Sequence, residues 1–201
     1  VGLSTSGEQG ALRNMEKEIP HWNFDKAVRN ADRIWERHLA MLDIVPMDDD
    51  QRISFYTSLY HALLMPNLVT DVDGAYTGWD GERHRSPDGD LYTNYSLWDT
   101  YRALHPFYTI VIPETNESFI RSMLQRVEEA GALPTNEYGL CETYCMIGNH
   151  AIPVIVDAYL KGARGFDAQK AYRAIREAAT VSHVKSDWES YTKYGYYPFD
   201  I

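Results

Sequence analysis

Residues 94–106 read NYSLWDTYRALHP, and within them Trp98 and Asp99 are adjacent side chains that together could hold a sugar. A carboxylate accepts hydrogen bonds from sugar hydroxyls, and an indole packs its apolar face against a pyranose ring. The same residues also spell a helix start. Ser96 stands where an N-cap would, and Asp99 follows three places later, where its carboxylate can bond back to the Ser96 amide and favour the positive helix end. On local grounds the pattern favours the cap.

Other candidate clusters carry less. Asp71, Asp73 and Glu82 fall at positions 1, 3 and 12 of a calcium loop, but Ala75 is at position 5 and Tyr76 replaces the glycine required at position 6. A structured turn is expected there instead. No two of the 7 histidines are four apart, so a zinc protease helix is not encoded, and no Gly-x-Ser-x-Gly, Walker or Rossmann pattern occurs. Cys141 and Cys145 are spaced for one face of a helix, which suits neither a structural zinc site nor a redox pair, so buried thiols are expected. Asn94-Tyr-Ser and Asn116-Glu-Ser are glycosylation triplets of a kind that also arises by chance.

The elements that must position these residues are helical. In residues 24–42, Phe24, Val28, Ala31, Ile34, Trp35, Leu39 and Leu42 recur at threes and fours, with Asn23 or Asp25 as cap. A second stripe runs from 52 to Pro66. Residues 67–95 hold two Asp-Gly turns and scattered rings, which predicts a long irregular loop, with room for a short hairpin. Helices are expected from Leu97 to near Pro113, from Thr115 or Asn116 to a cap at Gly131, and over 143–161 with a kink at Pro153. A last one follows Asp167 after a break at Gly162. The count is roughly six helices without βαβ alternation, so the fold class is all-α, built from antiparallel hairpins.

The first residues, VGLSTS, read as the tail of a strand already under way, and residues 8–20 as a polar run. The chain begins at Val1 and ends in the aromatic, turn-rich SYTKYGYYPFDI with no finishing helix, so a piece of a longer protein is expected. With 201 residues and 44% apolar content it can bury a core. The 19 basic against 29 acidic residues leave a charge of −10, which disfavours nucleic acid as a partner. No apolar run approaches the ~20 residues of a membrane span. The aromatic excess, with 15 Tyr and 5 Trp, fits a helical core or stacking on sugars, and composition does not choose.

Several stretches together resemble glycoside hydrolase family 92: SFYTSLYHALLMPN (54–67), DVDGAYTGWDG (71–81), YTNYSLWDTYRALHP (92–106), CETYCMIGNHAIPVIVDAYLKGARGFDA (141–168) and the lead-in VGLSTSGEQGALRNMEKEIPHWNFD (1–25). The resemblance covers nearly the whole chain in order. It implies a calcium-dependent, inverting, exo-acting α-mannosidase in which a β-sandwich precedes an (α/α)6 toroid. Residues 1–20 then end the sandwich and its linker, and 21–201 form about the first half of the toroid. The resemblance implies Trp98 and Asp99 as mannose contacts; Asn94 and Glu142 lie in family-like motifs and are further candidates without an assigned role.

The family's general acid lies in a later Glu-Gly-Asn-x-Trp-Gln-Tyr motif, its base in a later Asn-Asp-Asp-Cys-Gly motif, and neither occurs here. The principal calcium ligands are likewise expected beyond residue 201. On this reading no catalytic and no metal-ligating residue lies in the chain, the partners are mannose-containing glycans, and the parent protein is secreted, periplasmic or surface-attached. Two rivals remain. One is a complete non-catalytic all-α carbohydrate-binding or interaction module. The other is a different (α/α)6 glycosidase with Glu142 or Asp99 as its acid.

Overall fold

The computed structural model describes residues 1–182 and 187–199. The chain is mainly helical, with short two-stranded pairs between helices. Residues 1–6 form no strand; their weak alternation arises because Ser4 and Ser6 turn towards the carboxylate of Asp71. The polar run after them is a helix, α1 (Glu8–Glu18). Its buried positions are Gly10 and Asn14, so no apolar period marks it in the sequence. Gly10 is required for close approach: a Cβ there would overlap Asp71 Oδ2 and both serine hydroxyls.

Helix α2 (Phe24–Leu39) starts on Asn23, whose side chain accepts from the Lys26 amide at 2.9 Å. Its apolar stripe is real, yet none of its residues is buried, and Phe24 is 80% exposed. It touches α3 (Asp49–Ala62) through Trp35 and Tyr60, whose ring centroids are 4.5 Å apart. The following loop is more ordered than its composition suggests. Strand β1 (Asn67–Leu68) pairs antiparallel with β4 (Tyr92–Thr93), and β2 (Ala75–Thr77) forms a hairpin with β3 (Arg83–Arg85).

The single helix expected to run from Leu97 is two, α4 (Leu97–Thr100) and α5 (Leu104–Val111), separated by a turn. Pro113 opens the next helix, α6 (Pro113–Ala130), because the first helical position has no partner for the amide hydrogen that proline lacks. Gly131 closes α6 in the left-handed conformation, at φ 75°, as the sequence indicated. After β5 (Glu137–Tyr138) and β6 (Cys141–Glu142), helix α7 spans only Ala151–Leu160. Pro153 therefore lies in its first turn and breaks no internal hydrogen bond. The cysteines share no helix face: Cys141 is in β6, Cys145 is in the loop after it, and both thiols are exposed.

Asp167 caps α8 (Ala168–Thr180), accepting from the amides of Gln169 and Lys170 at 2.8 and 2.9 Å. A short helix, α9 (Trp188–Tyr194), stands in the C-terminal aromatic stretch where none was expected. Asp187 starts it and Gly195 ends it.

The core gathers on α6, which packs against α5, α7, α8 and β4. Phe119 is its centre, edge-on to Tyr92 at 4.8 Å and to Tyr108 at 5.5 Å, with Ile120 and Met123 fully buried beside it. Asn116 is 1% exposed, so a glycan on its triplet would not fit this fold. His105 stacks on Tyr95 in this core, and burial lowers its ring pKa to about 4.

Candidate sugar-binding rim

Two buried polar networks lie outside the helical core, and the first fixes the segment that leads into Trp98. Arg126 of α6 is wholly enclosed; its Nε donates to Glu137 at 3.0 Å, its Nη1 to Glu129 at 3.0 Å and its Nη2 to the Tyr92 carbonyl at 3.3 Å. Glu137 also accepts from Trp79 Nε1 and Thr93 Oγ1, while Glu129 accepts from the Tyr76 hydroxyl and the Trp79 amide. Burial pushes the Glu137 carboxyl up despite these donors. Burial works against the Arg126 charge, but Glu137 and Glu129 outweigh it and keep the guanidinium protonated. Truncating one member of such a set would strand a buried charge.

The second network surrounds Asp71. Ser4 Oγ at 2.7 Å, Ser6 Oγ and Asn14 Nδ2 at 2.8 Å donate to its carboxylate. Burial tends to raise its pKa; the bonds from Ser6, Ser4 and Asn14, with the Arg13 charge, win and hold it below the usual range. Asp73 pairs instead with Arg13 at 3.2 Å, and Glu82 is exposed. Asp71 and Asp73 are thus engaged elsewhere. Among the described residues no group of three or more His, Cys, Asp or Glu side chains is placed to hold a metal ion.

Leu97 is completely buried and anchors the start of α4, which leaves its neighbours Trp98 and Asp99 on the surface. The expected reciprocal cap does not form. Ser96 Oγ donates to Asp99 Oδ2 at 2.6 Å, and the Asp99 amide donates to the Ser96 carbonyl at 3.1 Å. The hydroxyl turns the carboxylate away from the Ser96 amide. Asp99 Oδ1 has no hydrogen bond among the described residues, so it is an open acceptor beside an open indole. That arrangement can bind a polyol.

The other two candidates do different work. Asn94 adopts φ 68°, a conformation asparagine tolerates. Its Nδ2 donates to Asn67 Oδ1 at 2.7 Å and its Oδ1 accepts from the Gly139 amide at 2.6 Å. Each end of its amide is bonded within the chain, so it acts as a brace between β1 and the β5–β6 turn. Glu142 accepts from the amides of Thr135 at 2.6 Å, Asn136 at 3.0 Å and Tyr144 at 3.0 Å, so both its oxygens clamp backbone. Asn94 and Glu142 meet through the β5–β6 hairpin that both support. The neighbours of Trp98 went unread in the sequence: Arg102, one turn on, lies over its ring, and Tyr101 stacks against His150. Only the first of these contacts has a spacing signal.

Comparison with known proteins places the chain. The family model described as the glycosyl hydrolase family 92 catalytic domain matches residues 10–201, and the chain belongs to that family. Among solved structures it is similar to a family GH92 alpha-mannosidase of Bacteroides thetaiotaomicron, with 36% identity and a TM-score of 0.92 over 98% of this chain and 26% of that one. That enzyme in complex with mannoimidazole matches at 35% identity and a TM-score of 0.89, over 98% of this chain and 26% of that one. A curated relative, an uncharacterized secreted glycosidase of Arthroderma benhamiae, is 28% identical over 94% of this chain and 20% of its own length. The chain thus spans about a quarter or less of the length of these proteins.

Proposed function

We propose that the chain is the part of an inverting, exo-acting α-mannosidase that supplies one wall of the mannose-binding subsite. The observation that carries this reading is the open Trp98 and Asp99 pair, anchored by buried Leu97, in a chain of family 92. Asp99 accepts hydrogen bonds from mannose hydroxyls through its free oxygen, and Trp98 covers the C–H face of the ring. Residues 21–201 open the (α/α)6 toroid, and 1–20 complete the exit from the preceding β-sandwich. The alignment with mannosidase structures over nearly the whole chain supports this assignment.

Inversion needs an acid at the leaving oxygen and a carboxylate that activates water across the ring, roughly 6.5–9.5 Å apart. Each transfer is worth ~10²–10⁴ in rate. We assign both groups to the protein beyond this chain. Glu142, the rival acid, has each oxygen occupied by backbone amides, which suits a clamp better than a proton donor. We assign the family's principal calcium ligands likewise to the protein beyond this chain. No helix among the described residues is long and apolar enough to cross a membrane. Likeness to a relative described as secreted supports export of the parent protein.

The test is to express the full-length reading frame and the 201-residue chain separately and to measure release of mannose from an aryl α-mannoside with and without a calcium chelator. The full-length protein is expected to hydrolyse it and to lose activity on chelation, and the chain alone to be inert. A chain that works alone, or a reading frame that stops after Ile201, would overturn the proposal; the latter would favour the binding module.

A further inference from the structure

The indole of Trp98 has two faces, and one of them is already occupied. The Arg102 guanidinium carbon lies 4.7 Å from the centroid of the Trp98 ring and 4.9 Å from that of Tyr101, and Arg102 Nη1 donates to the Tyr101 hydroxyl at 3.1 Å. The Tyr101 amide bonds to the Leu97 carbonyl at 3.1 Å, continuing the helical turn past Thr100, so residues 98 and 102 stay stacked one above the other. No carboxylate pairs with Arg102 among the described residues. Its charge rests on two rings and one phenol.

Tyr101 is held in turn. Its ring lies flat against His150, with centroids 4.2 Å apart and planes 3° from parallel. His150 immediately precedes α7 and is half-buried. A Cβ on Gly148 would come within 2.7 Å of its Nε2, so the glycine leaves the space that the ring fills. Burial, and the Arg102 charge after it, lower the His150 pKa, which keeps the ring neutral beside the cation. The stack thus runs from the start of α7 through His150, Tyr101 and Arg102 to Trp98.

We infer that Arg102 is a positioning residue: backed by Tyr101 and His150, it closes one face of Trp98, fixes the indole plane and directs the sugar to the opposite face. This rests on the reading of Trp98 as a mannose contact. An exposed indole that must be ordered on binding loses rotamer freedom at that moment, whereas one already clamped does not. The gain is the same in the ground state and the transition state. It therefore lowers KM and leaves kcat alone.

Two readouts in the full-length protein separate the stack from the sugar. Subtracting the near-ultraviolet circular dichroism of a Trp98→Phe variant from that of the parent isolates the Trp98 band. Arg102→Ala is expected to collapse this band, Arg102→Lys to keep part of it, and His150→Phe, which retains a flat ring under Tyr101, to restore what His150→Ala loses. On an aryl α-mannoside, Arg102→Ala is expected to raise KM about three- to tenfold with kcat within about twofold. An unchanged band in Arg102→Ala overturns the stack. A collapsed band with unchanged KM, or a fall in kcat in place of the KM rise, overturns its role in directing the sugar. If the parent enzyme hydrolyses no mannoside, the functional reading and the sugar-directing role fall together, and the band still decides the stack.

Discussion

Asp99 in the rim at residues 96–102 and Glu142 in the hairpin at 135–144 are acids with opposite fates. Asp99 has one oxygen held by the Ser96 hydroxyl and one free, on the surface beside an indole. Glu142 has both oxygens filled by backbone amides of Thr135, Asn136 and Tyr144. A carboxylate saturated by its own chain stabilises a turn. One held at a single oxygen, with apolar surface beside it, is equipped for a ligand. The contrast separates the acid we propose as a mannose contact from one that braces a turn, even though both lie in stretches resembling the same family.

Substitutions can break that contrast. Glu142→Ala removes the acceptor of three backbone amides and is expected to cost about 3 kcal/mol in chemical denaturation of the full-length protein. A loss below ~0.5 kcal/mol would remove the clamp from the account. Denaturation across acid pH gives an effect of similar size at the core. The folded pKa of His105, about 4, lies below its ordinary value, so the unfolded chain takes up a proton that the folded chain refuses. Stability attributable to His105 is therefore intact above the ordinary histidine pKa. It declines as pH falls from there towards 4, by at most about 3 kcal/mol, and levels off below. His105→Phe should flatten that slope. Persistence of the full slope in the variant would assign it to other groups.

Asn94→Ala should cost about 2 kcal/mol, from two lost hydrogen bonds and the strain of a left-handed alanine. The smallest effect is the sharpest for the comparison: Asp99→Asn should leave stability within ~0.5 kcal/mol, as expected of an exposed side chain outside any brace. A larger loss would make Asp99 a second clamp.

The sequence showed the helices wherever apolar period and cap agreed. Phe24 to Leu39 with Asn23 before it, and the helix after Asp167, are read directly. It hid α1, whose buried face is Gly10 and Asn14, because a helix packed by small and polar residues has no apolar stripe. It overextended the helix that holds Pro153, since Met146 and Ile147 prolong the apolar pattern upstream although residues 143–150 form no helix. Periodicity also says nothing about partners: the α2 stripe is strongly amphipathic and lies open, while the less patterned α6 is at the centre of the core. In the site, the adjacency of Trp98 and Asp99 was legible, and so in principle was Arg102 at one turn. The partnership of Tyr101 with His150 was not, because it joins segments far apart in the chain. Neither was the use of Ser96, which sits at the cap position but donates to the Asp99 side chain.

The central claim is that Asp99 contacts mannose and Glu142 does not. Its most direct test is the kcat/KM of full-length Asp99→Asn on a terminal α-mannoside, measured beside its denaturation curve. The account predicts a fall of about 10²-fold, the worth of a hydrogen bond to a charged group, with an unchanged curve. Activity within about twofold of the parent would contradict it.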